Sequence, residues 1–256
     1  MALRRFYIAA DQVERQVPEI TGTDAGHIVR VLRLAAGDAV ELFDGSGSGY
    51  RARIVAASPG RVAFAIEERF PLETESAVHI TLAQGFLKDR KMDDLLRPLT
   101  ELGVDGWMPF FAARSVPQPG RGKVDRRRAR WEKIALEAVK QCRRGRIPRI
   151  APVADLAAVL TTAHDYDLKL IFWEEEATAF RLAAARRPGR ILLVVGPEGG
   201  FTAEEVALAR KHGCLIVGMG PRILRAETAA LAALTLVQYR FGDMGGEADP
   251  TPPPAA

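Results

Sequence analysis

From residue 78 to residue 240, short apolar runs alternate with segments patterned as helices. Strand-like runs such as VHITLAQGF (78–86) and RILLVVG (190–196) are separated by helix-like segments, of which DDLLRPLTELGV (93–104) ends near Gly103. Alternation of this kind is typical of a mainly parallel sheet with helices on its faces. We therefore predict an α/β fold for this part of the chain.

The other elements of this region are predicted from the same patterns. Strands are expected in DGWMPFFAARSV, LKLIFWEE and CLIVGMG, which occupy residues 105–116, 168–175 and 214–220. Helices are expected over 125–144, 203–212 and 227–240, the first of them capped by Asp125.

The first 70 residues have a different pattern, in which short strand-like runs follow one another closely. The runs are RRFYI, AVELFD, GYRARIVAA and RVAFAIEE, and turn-forming GSGSG and SPG separate the last three. One helix is expected over 23–38, with Ile28, Val31 and Leu32 on one face and Gly37 at its end. Short strands at this spacing predict a small antiparallel barrel.

The change of pattern divides the chain into four segments. We predict a barrel domain over 1–70, a linker over 71–77, an α/β domain over 78–243 and a disordered tail over 244–256. The tail is small, polar and proline-rich, a composition that buries too little apolar surface to fold.

Several residue types argue against whole classes of protein. The two cysteines form no CxxC pair, and the four histidines are scattered without metal-ligand spacing, so we predict reduced thiols and no metal site. There is no apolar run of about 18 residues and no signal-peptide core, so we expect no membrane segment and a cytoplasmic location.

Positive charge is concentrated in residues 120–149. This segment holds twelve Lys/Arg against three acids, a local charge of +9, whereas the whole chain carries +4. Clustering of this kind is typical of nucleic-acid binding, although a merely solvated surface is the alternative.

Helical spacing sorts this segment into two faces. Trp131, Ile134, Ala138 and Cys142 form an apolar face. The opposite face is basic, is interrupted by Glu137, and comprises Arg126, Arg130, Lys133, Lys140 and Arg144. We expect the basic face to contact a phosphate backbone, which positions a nucleic acid without reading its sequence.

Three predicted strands end in segments that could bind a ligand: LIFWEEE, LVVGPEGGFT and IVGMGPRILRAET. The carboxyl ends of parallel strands face one edge of a sheet, where ligands bind, so the three loops are expected to converge. Gly196, Gly199 and Gly200 lack side chains, which would let a ligand reach the backbone.

The glycine-rich turn is a poor phosphate cradle. Thr202 and Glu205 are spaced as a capping box for the following helix, and Glu198 would repel a pyrophosphate. No phosphate-binding P-loop is present, and GMGPRI lacks the third glycine of the dinucleotide fingerprint. A positively charged adenosine cofactor without phosphate fits better, and S-adenosylmethionine is such a cofactor.

The motifs GPEGGFTAEE and GPRILRAETAALAAL resemble the signature of the bacterial 16S ribosomal RNA uridine-N3 methyltransferases, of the knotted SPOUT superfamily. Nearly the whole chain takes part in the resemblance, including RRFYI, HIVRVLRLAAGD, KMDDLLRPLTELGVD, ARSV and ALEAVKQCRRGRIP. The resemblance implies a PUA-like N-terminal β-barrel that binds RNA, a C-terminal trefoil-knotted methyltransferase domain and a homodimer formed through that domain. It also implies methylation of N3 of one uridine in the decoding region of 16S rRNA of the small ribosomal subunit.

The same resemblance indicates where the cofactor and substrate bind. The implied cofactor-binding residues are Phe172, Trp173, Gly196, Pro197, Glu198, Gly199, Gly200, Gly218, Met219, Gly220, Ile223, Leu224, Arg225 and Thr228. Arg225, Glu198 and Glu227 are the catalytic candidates, with the identity of the base left open, because N3 of uridine must lose its proton before it can attack. The candidate RNA contacts are Arg4, Arg5, His27, Arg30, Arg33, Lys88, Lys91, Arg114, Arg126, Arg130, Lys133, Lys140, Arg143 and Arg144.

Two alternative functions remain at this point. A related knotted methyltransferase could act on another base or on a ribose 2′-oxygen, and RILRAETA together with the barrel favours uridine N3 only weakly. A non-catalytic RNA-binding module of ribosome assembly would bind no cofactor.

Overall fold

A computed structural model describes residues 3–116, 121–176 and 187–245, with residues 121–123 described by their backbone alone. The chain forms two compact units. One contains residues up to 75 together with Val139–Ile147, and the other contains 76–138 and the residues from 148 onward. The sequence did not predict that Val139–Ile147 joins the first unit. The predicted domain boundaries stay predictions, and all but the first two residues of the predicted tail lie outside the described residues.

The first unit is built on a five-stranded sheet that curls around its own core. Its strands are β1 (Arg5–Tyr7), β2 (Glu19–Thr21), β3 (Ala39–Phe43), β4 (Ser48–Ser58) and β5 (Arg61–Pro71), in the order β1-β3-β4-β5-β2. Alternate residues such as Val40, Leu42, Val62 and Phe64 are buried in one cluster, as the sequence alternation predicts. The pairing of β1 with β3 is parallel, so the expectation of a wholly antiparallel barrel was wrong in that detail.

The helical part of this unit is shorter than predicted. It consists of α1 (Ala10–Val13), α2 (Gly22–Gly26) and a π-helical turn (His27–Val31). Arg33 has a φ of 56°, a left-handed conformation that stops the helix before Gly37. Ile28 is buried as expected, whereas Val31 is 64% exposed because the wider π turn rotates it away from the core.

The second unit is an α/β domain with a seven-stranded sheet, as the strand–helix alternation predicted. The strands are β6 (His79–Gly85), β7 (Gly106–Phe111), β8 (Arg149–Ile150), β9 (Ala154–Asp155), β10 (Leu168–Phe172), β11 (Arg190–Val195) and β12 (Leu215–Val217). They run in the order β12-β10-β11-β6-β7-β8, with β9 also pairing β7, and every pair is parallel.

The helices of this unit are α3 (Lys91–Glu101), α4 (Arg121–Cys142), α5 (Leu156–Thr161), α6 (Ala203–Lys211) and α7 (Ala226–Phe241). In α3 the buried residues recur at helical spacing, as in Met92, Leu95 and Leu99. In α4 Trp131 and Ala138 are fully buried, which confirms the apolar face. The helix begins at Arg121, so Asp125 lies inside it and is not its cap.

Residues 149–165 form elements that the sequence patterns did not predict. Strands β8 and β9 have two residues each, too few to produce a visible period. Helix α5 has six residues, begins at an Asp155 cap that accepts from the Ala158 N–H at 2.7 Å, and continues as a 3₁₀ turn (Thr162–Asp165). Within the described part of the chain, no helix has the length and apolarity needed to cross a membrane, and no three His, Cys, Asp or Glu side chains group as metal ligands.

Candidate active site

Three neighbouring parallel strands end together at one edge of the large sheet. Phe172, the last residue of β10, is opposite Val195 of β11 and Val217 of β12. The loops that follow these strands enclose a cavity of about 550 Å³, within the range of about 300–1,000 Å³ typical of small-ligand sites. The structure therefore brings the three motifs together on one side of the sheet.

Most residues predicted to bind a cofactor line this cavity. They are Phe172, Trp173, Gly196, Pro197, Glu198, Gly200, Met219, Gly220, Ile223, Leu224 and Arg225. Gly199, Gly218 and Thr228 do not contribute to its wall, and neither does the catalytic candidate Glu227.

Several lining residues belong to the predicted loop segments or to α3 but were not among the residues predicted to bind the cofactor. Lys91, expected as an RNA contact, lies on the cavity wall, and so does Arg222. Glu174, Glu175 and Glu176 add three carboxylates. Their position directly after β10 could have identified them, because every residue that follows a parallel strand here lies at the ligand-binding edge.

The glycines of the turn mainly make room for other groups of the protein. A Cβ on Gly196 would lie 3.1 Å from the Phe201 ring, and one on Gly199 would lie 3.0 Å from the Arg114 carbonyl oxygen. The Gly200 backbone has a φ of 67°, which side-chain-bearing residues rarely adopt, and a Cβ there would overlap the Glu174 carboxylate. The glycines therefore leave room for Phe201, Arg114 and Glu174, while Gly196 and Gly200 also line the cavity.

Hydrogen bonds hold the turn in place. The Gly200 N–H donates to the Pro197 carbonyl at 3.0 Å, and the Arg114 guanidinium donates to the Gly199 carbonyl at 3.2 Å. Arg114, a predicted RNA contact, is therefore already used inside the domain.

The predicted capping box is confirmed at the start of α6. The Thr202 hydroxyl accepts from the Glu205 N–H at 3.3 Å, and the Glu205 carboxylate accepts from the Thr202 N–H at 2.9 Å. The second Glu205 oxygen accepts from the Ala113 N–H at 2.8 Å. One carboxylate therefore joins the segment after β7 to the start of α6.

Lys91 links the two glutamates proposed as bases. Its Nζ lies 3.0 Å from Glu198 Oε1 and 3.4 Å from Glu227 Oε2. Burial raises the pKa of Glu198, but hydrogen bonds from Lys91 and from backbone N–H groups outweigh burial and leave that pKa below its ordinary value. The hydrogen bond to Glu198 in turn raises the pKa of Lys91. Glu198 is thus held ionised and is a weak base.

The Lys91–Glu198 pair predicts a specific pH dependence of stability. The lowered pKa of Glu198 contributes stability above the unfolded-state value of about 4.3, and the raised pKa of Lys91 contributes it below about 10.4. We expect Lys91→Met to lower the free energy of unfolding by about 0.2–1 kcal/mol between those limits and by less outside them. Lys88→Met is the matched control, because Lys88 contacts Glu198 through its backbone N–H. Urea titrations from pH 3 to 11 measure both, and a loss for Lys91→Met that does not vary with pH would contradict the assignment.

Two cations of the cavity wall differ from Lys91 in their surroundings. Arg222 and Arg225 are exposed, and among the described residues neither guanidinium has an ion-pair or hydrogen-bond partner. Arg225 immediately precedes α7, whose N-terminal backbone dipole adds positive potential at the same place. This end of the cavity is suited to hold a developing negative charge.

The predicted basic face, which lies on α4 and on the two residues after its end at Cys142, is partly neutralised by acids elsewhere in the sequence. Arg130 pairs with Asp93 at 3.0 Å, and Lys140 pairs with Asp24 at 3.0 Å. Arg144 is 5% exposed and pairs with Glu75 at 2.7 Å, so it is removed from the set of phosphate contacts. Arg126, Lys133 and Arg143 are exposed, as is Lys88 before α3.

The RNA candidates of the first unit also divide by exposure. The Arg5 guanidinium stacks on Phe43, 4.2 Å from the ring centroid, and donates to the carbonyls of Arg143 and Arg144. These contacts stabilise the first unit. The remaining candidates have exposed side chains and comprise Arg4, His27, Arg30 and Arg33.

Both units match known protein families. Residues 74–238 match the family described as an RNA methyltransferase domain, and residues 20–67 match the family described as an RNA methyltransferase PUA domain. The ribosomal RNA small subunit methyltransferase E of Bacillus subtilis (strain 168) is 32% identical over 96% of this chain and 100% of its own length. The protein of the same name from Synechocystis sp. is 30% identical over 91% of this chain and 76% of its own length.

Solved structures give the same grouping. The ribosomal RNA small subunit methyltransferase E from Neisseria gonorrhoeae, bound to S-adenosyl methionine, has a TM-score of 0.80 and 31% identity over 94% of this chain and 99% of its own. A Legionella pneumophila protein in complex with the cofactor SAM has a TM-score of 0.83 and 31% identity over 95% of this chain and 100% of its own.

Proposed function

This chain belongs to the RNA methyltransferase family, among the ribosomal RNA small subunit methyltransferases E, and we propose that it methylates N3 of one uridine in the decoding region of 16S rRNA with S-adenosylmethionine as donor. The observation that carries the proposal is the cavity at the three strand ends, where Arg225 has no ion-pair partner among the described residues. A cationic wall beside an acidic one suits a positively charged donor next to a base that becomes anionic.

The residues of the cavity fit S-adenosylmethionine. Phe172, Trp173 and Leu224 offer apolar surface for an adenine ring. The carboxylates of Glu174, Glu175 and Glu176 complement the positive charges of the cofactor. Trp173 Nε1 is buried without a partner among the described residues, which makes it a donor available to a ligand. When bound, the cofactor supplies an electrophilic methyl group on a sulfonium.

The chain's own residues must make N3 of uridine nucleophilic. Loss of the N3 proton leaves negative charge on the uracil ring, and we assign its stabilisation to Arg225 at the start of α7. Glu198 is the weaker candidate for a catalytic role, because its pairing with Lys91 lowers its pKa. Lys91 keeps the carboxylates of Glu198 and Glu227 beside the cavity.

Binding of the RNA extends the proposal beyond the cavity. We assign phosphate contacts to exposed basic residues, which comprise Arg4, His27, Arg30, Arg33, Lys88, Arg126, Lys133 and Arg143. A flipped-out uridine in the cavity would provide the specificity that phosphate contacts lack. A ribosomal substrate in turn supports a cytoplasmic location.

We also propose that the second unit contains the trefoil knot that the resemblance implies and forms a homodimer. On α7, Leu236 is 39% exposed and Tyr239 is 66% exposed, and such apolar side chains are suited to a partner subunit. Sedimentation of the full chain as a function of protein concentration tests the dimer. A sedimentation coefficient that stays at the monomer value up to about 50 μM would contradict it.

Nucleoside mass mapping of 16S rRNA from a deletion strain tests the reaction. We expect 3-methyluridine to disappear and to return when the intact gene is restored, and undiminished 3-methyluridine would refute the assignment. RNA with 2′-deoxyuridine at the target distinguishes methylation at N3 from methylation of the ribose 2′-oxygen. The first reaction should continue on this RNA, whereas the second should stop because the 2′-oxygen is missing. A flat calorimetric titration with S-adenosylmethionine, repeated with RNA present, would favour the non-catalytic module.

The Gly200 position predicts a loss of cofactor affinity. We expect Gly200→Ala to weaken S-adenosylmethionine binding about tenfold, since the new methyl group displaces Glu174 from the cavity wall. Gly213→Ala is the matched control, because Gly213 has a φ of 78° but its Cβ would meet only the end of the Lys169 side chain, no closer than 3.6 Å. Both variants should lose about 1–2 kcal/mol of stability from backbone strain. Calorimetry and urea unfolding measure the two effects, and equal affinities would contradict the prediction.

A further inference from the structure

Gln84 is a fully buried amide at the end of β6, among apolar neighbours. Its exposure is 0%, and Ile80, Leu82 and Ala83 of the same strand are also fully buried. Burying an amide in such surroundings is unfavourable unless its polar atoms are used. The side chain therefore needs a specific reason to be polar.

The amide reaches the glycine-rich turn. Gln84 is opposite Val195, the last residue of β11, and its Nε2 donates to the carbonyl oxygen of Gly196 at 3.1 Å and to that of Gly85 at 3.0 Å. The Gln84 Oε1 atom is buried and has no partner among the described residues. Leaving Oε1 unsatisfied costs free energy, so the favourable polar contribution of this side chain comes from the two hydrogen bonds that Nε2 donates.

The next residue of β6, Gly85, allows the turn to pack closely against this strand. A Cβ on Gly85 would lie 2.5 Å from the Pro197 nitrogen, so the turn packs directly on the β6 backbone. Gln84 thus holds the Gly196 carbonyl while Gly85 leaves space for Pro197. Gly196 and Pro197 both line the cavity, whereas Gln84 and Gly85 do not.

We propose that Gln84 is a positioning residue, which fixes the Gly196–Pro197 turn so that the cavity wall is already formed before the cofactor binds. This inference rests on the proposed function, since the ligand of the turn is taken to be S-adenosylmethionine. Pre-organisation of a wall acts on affinity, because a disordered turn would have to be ordered during binding. The effect is therefore expected in cofactor binding and not in the chemical step.

A second glutamine of the same domain provides a matched control. Gln238 is also 0% exposed, its Nε2 donates to the carbonyls of Leu102 and Gly103 at 3.2 Å each, and its Oε1 is likewise buried without a partner among the described residues. The turn that it holds follows α3 and lies outside the cavity wall. Replacing either glutamine by methionine removes two hydrogen bonds to backbone carbonyls and keeps a side chain of similar volume.

The test compares Gln84→Met with Gln238→Met in the full-length chain. We expect Gln84→Met to raise the Kd for S-adenosylmethionine at least about tenfold and Gln238→Met to change it less than about twofold, with similar losses of stability. At saturating cofactor the single-turnover rate of Gln84→Met should return to within about threefold of wild type, so that KM rises while kcat is kept. Equal Kd values for the two variants would overturn the proposal.

Hydrogen exchange measured without cofactor tests the role of Gln84 independently of the proposed function. We expect faster exchange of the backbone N–H groups within residues 196–200, where Pro197 has none, in Gln84→Met and unchanged exchange there in Gln238→Met. If wild type binds no S-adenosylmethionine with or without RNA, the proposed function fails, and hydrogen exchange alone then decides the role of Gln84. If Gln84→Met does not fold, Gln84→Asn keeps an amide that is too short to reach Gly196 and is expected to give the same exchange pattern. Unchanged exchange at residues 196–200 in the folded variant would overturn the proposal.

Discussion

The Arg225→Met variant should lose about 100- to 1,000-fold in the single-turnover rate of methyl transfer at saturating RNA and cofactor. Arg225 lines the cavity, immediately precedes α7, and has no ion-pair partner among the described residues. Its charge and the helix dipole act on the same place, where the uracil anion would form. Removing a preorganised positive group from a developing negative charge raises the barrier to reaction and leaves folding nearly unchanged.

Arg222→Met is the control for this experiment. Arg222 belongs to the same loop and lines the same cavity, but it lies four residues before Ala226, the first residue of α7, away from the dipole. We expect its loss to stay below about tenfold. Equal losses for the two variants would show that the total charge of the loop matters and that Arg225 has no special role. Arg225→Lys should recover part of the rate, because it restores the charge without the planar guanidinium.

The Arg144→Met variant should destabilise the first unit by about 3–5 kcal/mol, the typical effect of leaving one partner of a buried ion pair alone. Arg144 donates to one Glu75 oxygen through Nε at 3.1 Å and Nη2 at 2.7 Å. The other Glu75 oxygen accepts from the backbone N–H groups of Gly145 and Arg146 at 2.8 and 3.0 Å. Without the guanidinium, a carboxylate that is 11% exposed retains only its two backbone hydrogen bonds.

The measurement must report on the first unit alone. All three tryptophans, Trp107, Trp131 and Trp173, belong to the second unit, so their fluorescence is a poor reporter. Hydrogen exchange of β3 and β4 should accelerate about 100-fold or more in Arg144→Met, with β6 and β11 much less affected. Arg143→Met changes the exposed neighbour and should stay within about 0.5 kcal/mol of wild type. Similar exchange in both variants would contradict the role of the buried pair.

The convergence of the site could be predicted because it depends on local patterns. Three apolar runs, each followed by glycines or carboxylates, identify three strand ends, and parallel strands necessarily share an edge. The capping box of Thr202 and Glu205 is likewise set by a spacing of three residues. These features need no knowledge of contacts between distant residues.

The contacts that were missed join residues far apart in sequence. Lys91 and Glu198 are 107 residues apart, and Arg144 and Glu75 are 69 apart, so no period relates the partners. A basic face on a helical wheel therefore could not distinguish the exposed Lys133 from the buried Arg144. The packing of Phe201 and Arg114 against the turn glycines likewise depends on the fold and has no local sequence signal.

The close approach of Pro197 to β6 has a consequence for mutational scanning and for the reading of sequence alignments. Gly85 has an ordinary backbone conformation and does not line the cavity, yet any larger residue there would collide with the Pro197 backbone. A library randomised at this codon and selected for activity should return glycine almost alone. Invariance at such a position would reflect steric exclusion by the neighbouring main chain, and ranking sites by tolerance to substitution would mistake it for a ligand contact.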